Sequence, residues 1–229
     1  MERSRDLVLE NLARLRERIR AACERVGRDP AGVRIVAAGK TVGPEALRWV
    51  VEAGVRDLGE NYVQELRAKR ELVPGATWHF IGTLQRGSAH HVAALADVLQ
   101  TAAPGRALER LARAAGRLGR TVPALVEVDF TRERSGVPPE GAVEACDLVA
   151  TTPGLRLVGL MTLPPLTPDA EGARPYFVAL RELLERVRER HPEATELSMG
   201  MSLDYEVAVE EGATMVRIGT ALFGARPPG

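Results

Sequence analysis

The chain is 229 residues long, 45% hydrophobic and 27% charged, which excludes a disordered polypeptide, and its 4% aromatic content leaves the core to Ala, Val and Leu. Thirty-one basic residues balance thirty-one acidic ones, so nothing in the charge draws the protein non-specifically to nucleic acid or to an anionic membrane. No apolar run approaches the ~18 residues of a membrane span, and the charged first turns do not read as a signal peptide, so the expected location is cytoplasmic.

The first predicted element is a helix over about 4–27. Val8, Leu12, Leu15, Ile19, Ala22 and Val26 recur at spacings of four and three, which puts them on one face, and Gly27 followed by Asp29-Pro30 stops the helix. Such a stripe is expected to lie against the helix's own domain. From residue 33 onward short apolar runs alternate with amphipathic stretches. Strands are predicted over 33–39, 57–59, 78–81, 98–101, 123–129, 157–161, 196–200 and 215–219. Helices are predicted at about 44–53, 61–71, 87–95, 104–118, 138–149, 170–190 and 203–212. Gly54, Pro74, Gly119, Pro153, Pro192 and Gly212 mark many of the boundaries. The strands are rich in Val, Ile and Leu and lack clean polar alternation, as buried parallel strands do.

Eight such strands joined by helical crossovers predict an α/β chain folded as a single (β/α)8 TIM barrel with an extra N-terminal helix, in preference to a doubly wound sheet. No repeat or low-complexity linker divides the chain, so 1–229 reads as one domain. Cys23 and Cys146 fall in helical stretches with no CxxC spacing and read as buried, inert thiols. The four histidines offer no chelating spacing, so no metal is expected.

Active sites of these barrels lie at the C-terminal ends of the strands. Strand one ends in Ala37-Ala38-Gly39-Lys40-Thr41, which brings Lys40 to the mouth. Only two of the 31 basic residues, Lys40 and Lys69, are lysines, and the rest are arginines. A partly desolvated lysine favours its neutral amine, the nucleophile that forms a Schiff base with an aldehyde, whereas guanidinium stays protonated. Lys69, in a run of charged residues, reads as a solvated cation on a helix face. Strands seven and eight end in Ser198-Met199-Gly200-Met201-Ser202 and Arg217-Ile218-Gly219-Thr220. The loops after those strands are where such barrels bind phosphate, with Ser202 placed to cap a helix beginning near Leu203, and Gly219 and Thr220 offering backbone N–H groups and a hydroxyl. Ser198 and Met201 join the candidate lining. Arg217, between Val216 and Ile218, points inward, and Arg134 is placed to reach over the mouth. A lysine facing a phosphate cradle suggests a phosphorylated aldehyde, and pyridoxal 5'-phosphate combines the two.

Gly39-Lys40-Thr41, Gly59-Glu60-Asn61-Tyr62-Val63-Gln64-Glu65, Trp78-His79-Phe80-Ile81-Gly82, Leu84-Gln85, Gly159-Leu160-Met161, the run from Leu197 to Ser202 and the closing run from Arg217 to Arg226 together resemble the YggS/PROSC family of pyridoxal phosphate homeostasis proteins. The resemblance runs unbroken from about residue 5 to 226. It implies a barrel of the alanine racemase N-terminal domain type, with Lys40 holding pyridoxal phosphate as an internal aldimine. By the same likeness Ser202, Gly219 and Thr220 form the phosphate cradle, and Arg217 faces the pyridine nitrogen, which weakens the ring as an electron sink. Asn61 and His79 match family positions, although a helix N-cap accounts equally for Asn61 and a buried, hydrogen-bonded strand residue for His79. The chain departs from the family at Gly39, where serine is usual, at Arg86-Gly87-Ser88, where Ser-Asn-Lys is usual, and at Thr101-Ala102-Ala103, where Ser-x-Asp is usual.

The spacing Asp129…Arg134-x-Gly136 is also similar to the strand-five motif of alanine racemases. A racemase needs a second acid/base on the far side of the substrate, in alanine racemases a tyrosine from a separate C-terminal domain that this chain is expected to lack. Tyr62, Tyr176 and Tyr205 fall in or beside predicted helices. The expected function is therefore a monomeric carrier that holds pyridoxal phosphate and delivers it to apo-enzymes. The alternatives are a single-domain amino-acid racemase with weak activity and a Schiff-base aldolase acting on a sugar phosphate.

Overall fold

The computed structural model describes residues 4–225, so Arg226 of the closing run lies outside the described residues. In chain order it holds α1 (Arg5–Arg25), β1 (Arg34–Ala38), α2 (Pro44–Glu52), β2 (Asp57–Glu60), α3 (Val63–Arg70), β3 (Thr77–Phe80), α4 (Ala89–Leu95), β4 (Val98–Ala102), α5 (Arg106–Arg117), β5 (Val122–Val128), α6 (Ala142–Thr151), β6 (Leu155–Thr162), α7 (Arg174–Arg188), β7 (Glu196–Ser198), α8 (Tyr205–Glu210), β8 (Met215–Ile218) and α9 (Thr220–Phe223). The strands pair in parallel from β1 to β8, and β8 closes on β1 with Val36 opposite Arg217. This is the (β/α)8 barrel that the alternating pattern predicts.

The strand alternation divides the core in two. Residues such as Val216 and Ile218 face outward and join the layer packed under the helices. Val36, Leu125, Val158, Met161 and Met215 face inward and fill the barrel. α1 starts where Ser4 Oγ accepts the Leu7 N–H at 3.3 Å. Its buried stripe of Val8, Leu12, Leu15, Ile19 and Ala22 packs against α2, α8 and α9, as expected of a helix lying on its own barrel. Val26 departs from that stripe, because it caps the helix end and stays exposed. Cys23 and Cys146 are buried in α1 and α6, and burial pushes the Cys146 thiol up to about 12, where it is inert. Among the described residues no helix is long and apolar enough to cross a membrane.

Several elements are displaced from the predicted positions: α6 and α7 begin four residues later than expected, behind short 3-10 turns, α3 begins two later, β6 begins two earlier, and α9 was not expected. α8 begins at Tyr205, two residues later than expected, because Asp204 Oδ1 accepts the Met201 N–H at 2.6 Å and folds residues 201–204 into a turn. β7 stops at Ser198, where the chain turns toward Gly200 with φ +90°. At Gly159 in β6 a Cβ would stand 1.9 Å from the Glu196 carbonyl oxygen of the paired strand. Both atoms belong to backbone held in the barrel, so Gly159→Ala is expected to cost about 3 kcal/mol. A fall in the denaturant midpoint measures it.

Candidate functional site

β1 delivers its last residues to the C-terminal mouth of the barrel, where Gly39 is buried and Lys40 half-buried. The turn is tight. Gly39 N–H donates to the Gly59 carbonyl at 2.7 Å, Val42 N–H donates to the Gly39 carbonyl at 2.8 Å, and Thr41 takes φ +63°. A left-handed backbone at a β-branched residue costs roughly 1 kcal/mol or more, so the surrounding contacts over-determine the turn. Lys40 Nζ lies 5.1 Å from the centre of the Tyr62 ring and lines a cavity of about 390 Å3.

The same cavity is lined by Asn61, Met201, Ser202, Arg217, Gly219 and Thr220. Residues from β1, the β2–α3 link, the loop after β7 and the end of β8 thus meet at one point, as strand-end positions in a parallel barrel must. Asn61 is lining and not a helix cap: Tyr62 precedes α3 in the cap position, with no side-chain cap bond. Asn61 is also pinned by neighbours, since its N–H donates to Glu60 Oε2 at 3.2 Å and a Cβ on Gly82 would stand 2.0 Å from its carbonyl oxygen. Glycine at 82 is what allows the β2 and β3 ends to approach so closely.

Lys69 corrects the reading of a solvated cation. α3 follows β2 almost directly, and its inner face carries Val63, Leu66 and Lys69, three residues apart, against the barrel. Lys69 Nζ donates to the Gly39 carbonyl at 2.8 Å, to Glu60 Oε1 at 2.5 Å and to Glu65 Oε2 at 2.6 Å. Glu65 Oε2 also accepts the Thr41 N–H at 3.1 Å. The buried ammonium therefore ties together the two residues that flank Lys40. Burial pushes the Glu60 carboxyl up, and the hydrogen bond and charge of Lys69 only partly offset that. For Glu65 burial likewise works upward, but Lys69 and the Thr41 N–H hold its carboxyl below the usual range. Gly39 leaves room for this pair, because a Cβ there would meet Glu60 Oε1 at 3.0 Å.

Across the cavity, Ser202 does not cap α8 as predicted. Its Oγ accepts the Ala221 N–H at 3.1 Å and so joins the loop after β7 to the first turn of α9. Gly219 precedes that turn, and a Cβ on it would touch only Ala38, at 3.6 Å. Protein packing therefore does not demand glycine at 219; its place on the cavity wall leaves the backbone open there. The first N–H groups of a helix lack intrahelical acceptors. Among the described residues, Lys40 and Arg217 are the charged side chains of the lining, and no carboxylate shares it.

Arg217 points inward, as predicted, and donates to Ser198 Oγ at 2.6 Å and to the Thr162 carbonyl at 2.7 Å. Burial lowers its guanidinium to about 10, with Asp204 and Glu127 pulling the other way, so it remains a cation at neutral pH. The structure does not bring two nominated residues to the cavity. Ser198 lies fully buried behind Arg217. His79 is fully buried within the barrel, where it is hydrogen-bonded to Asp57 and Gln100. Inward-facing strand positions below the last layer fill the barrel and do not open to the mouth.

Arg134 is exposed and lines a neighbouring cavity of about 300 Å3 that also touches Asn61, Thr101 and Glu127. Sequence reasoning missed Glu60, Lys69 and Gln100. The Glu65–Lys69 spacing of four was the available signal for the first pair, in a chain with so few lysines. Gln100, beside Thr101 in β4, had no signal that distinguished it.

A family model for the alanine racemase N-terminal domain matches residues 11–227. The pyridoxal phosphate homeostasis protein of Aquifex aeolicus is 39% identical over 222 residues, covering 95% of this chain and 97% of that one. The structure of PipY from Synechococcus elongatus, with pyridoxal phosphate bound, is 34% identical with a TM-score of 0.83, over 95% of this chain and 100% of that one. Alanine racemase of Clostridium difficile shares the fold, at 17% identity and a TM-score of 0.75, and this chain spans 57% of it. Similarity over nearly the full length to the first two, at 39% and 34% identity, on a barrel whose mouth carries a strand-one lysine, places the chain in the family of pyridoxal phosphate homeostasis proteins built on the alanine racemase N-terminal domain.

Proposed function

We propose that this protein binds pyridoxal 5'-phosphate at the barrel mouth and serves its homeostasis, holding the cofactor and handing it to apo-enzymes of the cytoplasm. The observation that carries the reading is the meeting of Lys40 with Ser202, Gly219 and Thr220 in one cavity whose charged side chains are both cations. A volume of about 390 Å3 suits a ligand of this size, and a wall without carboxylates suits its phosphate. When bound, pyridoxal phosphate supplies an aldehyde that condenses with a primary amine with loss of water. Lys40 is the residue to anchor it, because it lines the cavity and its amine donates no hydrogen bond to another of the described residues. The hydroxyls of Ser202 and Thr220 and the N–H groups beside Gly219 take the phosphate. Arg217 would be the cation available to the ring, and Asn61 and Met201 would complete the lining around it. Relatives named as homeostasis proteins and one with the cofactor bound support the same reading.

A carrier is favoured over a racemase by the tyrosines. Tyr62 lies against Lys40 and so on the lysine's own side. Tyr205 is buried under α1 beside Arg18, and Tyr176 packs edge-on to Phe130. None stands across the cavity from Lys40, where the second acid/base of a racemase has to be. Purified protein mixed with pyridoxal phosphate is expected to turn yellow, and borohydride is expected to fix the added mass on the peptide containing Lys40. A protein that stays colourless sinks the cofactor reading. α-Proton exchange of L-amino acids in deuterated water is expected to stay near the rate of free pyridoxal phosphate, and sustained enzymatic turnover would establish the racemase instead.

A further inference from the structure

An unbroken line of hydrogen bonds crosses the barrel interior from the mouth to the opposite face. Arg217 of β8 donates to Ser198 Oγ of β7 at 2.6 Å, and Ser198 Oγ donates to Gln100 Oε1 of β4 at 2.6 Å. Gln100 Nε2 meets His79 Nδ1 of β3 at 2.8 Å, and His79 Nε2 meets Asp57 Oδ1 at the start of β2 at 2.8 Å. Arg217, Ser198, Gln100 and His79 are all 4% exposed or less. Asp57, at the far end, lines a separate cavity of about 380 Å3 on the N-terminal face, with Arg34 3.8 Å away.

The chemistry of the two ends sets the direction of the line. A guanidinium can only donate and an ionised carboxylate can only accept. Burial pushes the Asp57 carboxyl up, but the hydrogen bond from His79, the positive charge His79 carries when doubly protonated and, last, the charge of Arg34 outweigh it, so its carboxyl lies below the usual range; the hydrogen bond and Arg34 act in the same direction when the ring is neutral. Ser198 spends its one proton on Gln100, and the Gln100 amide nitrogen then has only donors to offer His79. Nδ1 of His79 accepts, and its ring proton sits on Nε2 facing Asp57. Each member thus gives one bond onward, from the mouth to the base. Such a chain polarises along its length and holds every member in one orientation.

We propose that Ser198, Gln100 and His79 are positioning residues for Arg217, forming a one-way donor chain, closed by Asp57, that fixes the guanidinium plane on the floor of the cofactor cavity. Without the chain, the Thr162 carbonyl is the one acceptor left to the Arg217 side chain among the described residues, and the guanidinium is free to turn about it. The inference rests on the proposed cofactor only for its second readout; the chain itself belongs to the fold without any ligand.

The first measurement uses the ligand-free protein. The ring-nitrogen chemical shifts of His79 are expected to report the tautomer protonated on Nε2; protonation on Nδ1, or on both nitrogens, overturns the one-way chain. The second uses the loaded protein. Gln100→Leu is expected still to attach pyridoxal phosphate at Lys40 by borohydride trapping, but to move the pH midpoint of the bound chromophore's absorbance change by about one unit. An unmoved midpoint overturns the positioning role. Should Gln100→Leu fail to fold, the isosteric Gln100→Glu serves: its carboxylate cannot donate to Nδ1, and the His79 shifts are expected to show both nitrogens protonated, with an unaltered His79 spectrum overturning the proposal. If the native protein takes up no cofactor, the proposed function falls while the tautomer still judges the chain.

Discussion

Lys40→Arg is expected to abolish the covalent absorbance band proposed for the loaded protein while leaving the proposed phosphate-binding wall intact. Arginine keeps the positive charge and the stacking on the Tyr62 ring, 5.1 Å away. It removes only the amine that can lose its proton and add to an aldehyde. Affinity for pyridoxal phosphate is then expected to drop at least about 100-fold, equivalent to about 3 kcal/mol, down to the level shown by pyridoxine phosphate, which has no aldehyde. The melting temperature of the ligand-free variant is expected to stay near the native value, since among the described residues Lys40 has no hydrogen-bond acceptor that the substitution would strand. Equilibrium titration of both ligands against both proteins makes the comparison. A Lys40→Arg protein that binds pyridoxal phosphate as tightly as the native chain would show that some other group anchors it.

Lys69→Met is expected to have the largest effect on stability. The ammonium is buried, and it answers the wholly buried Glu60 Oε1 at 2.5 Å as well as Glu65 and the Gly39 carbonyl. Removing one partner of such a pair leaves a buried charge without compensation, at a cost of about 3–5 kcal/mol near neutral pH. The loss is also expected to depend on pH in a defined direction. Burial already raises Glu60 above its ordinary value despite Lys69. Without Lys69 the folded-state value rises further while the unfolded value does not. The group is neutral in both states below the unfolded value, so the penalty is small there and grows as pH rises through the window between the two values. Denaturant unfolding at acidic and at neutral pH should therefore give the smaller loss in acid. An equal loss at both would mean that Glu60 is not the group left stranded. Lys69→Arg is expected to destabilise as well, by about 1–3 kcal/mol, because a planar fork does not fit three acceptors converging on one small cation.

The two lysines show how far local pattern reaches. Lys40 was legible because a strand end in a parallel barrel is a mouth position by topology, and because its chemistry is one that arginine lacks. The facing wall of Ser202, Gly219 and Thr220 was legible as a set of mouth positions in the same way, from the ends of β7 and β8. Lys69 was not, since the run Arg67-Ala68-Lys69-Arg70 looks solvated and only the docking of α3 on β2 shows which side of it is inside. His79 and Ser198 were legible as residues of interest but not in their places. Period-two alternation tells which strand residues face inward, and it does not tell whether an inward residue lies in the filled interior or at the open end.

By itself, then, the sequence determined the eight strands, their helical crossovers, the stripe that seats α1, and the lysine and glycine-hydroxyl groups that end strands one, seven and eight. These depend on periodicity and on position within an element, which are local properties of the chain. Only the tertiary structure decided that Lys69 is a buried strut beneath Lys40, that Ser202 bonds to α9 in place of capping α8, and that His79, Gln100, Ser198 and Arg217 stand in line across the barrel. Those relations join residues as far as 98 positions apart. The closure and shear of the barrel set them, and neither is written in any one segment.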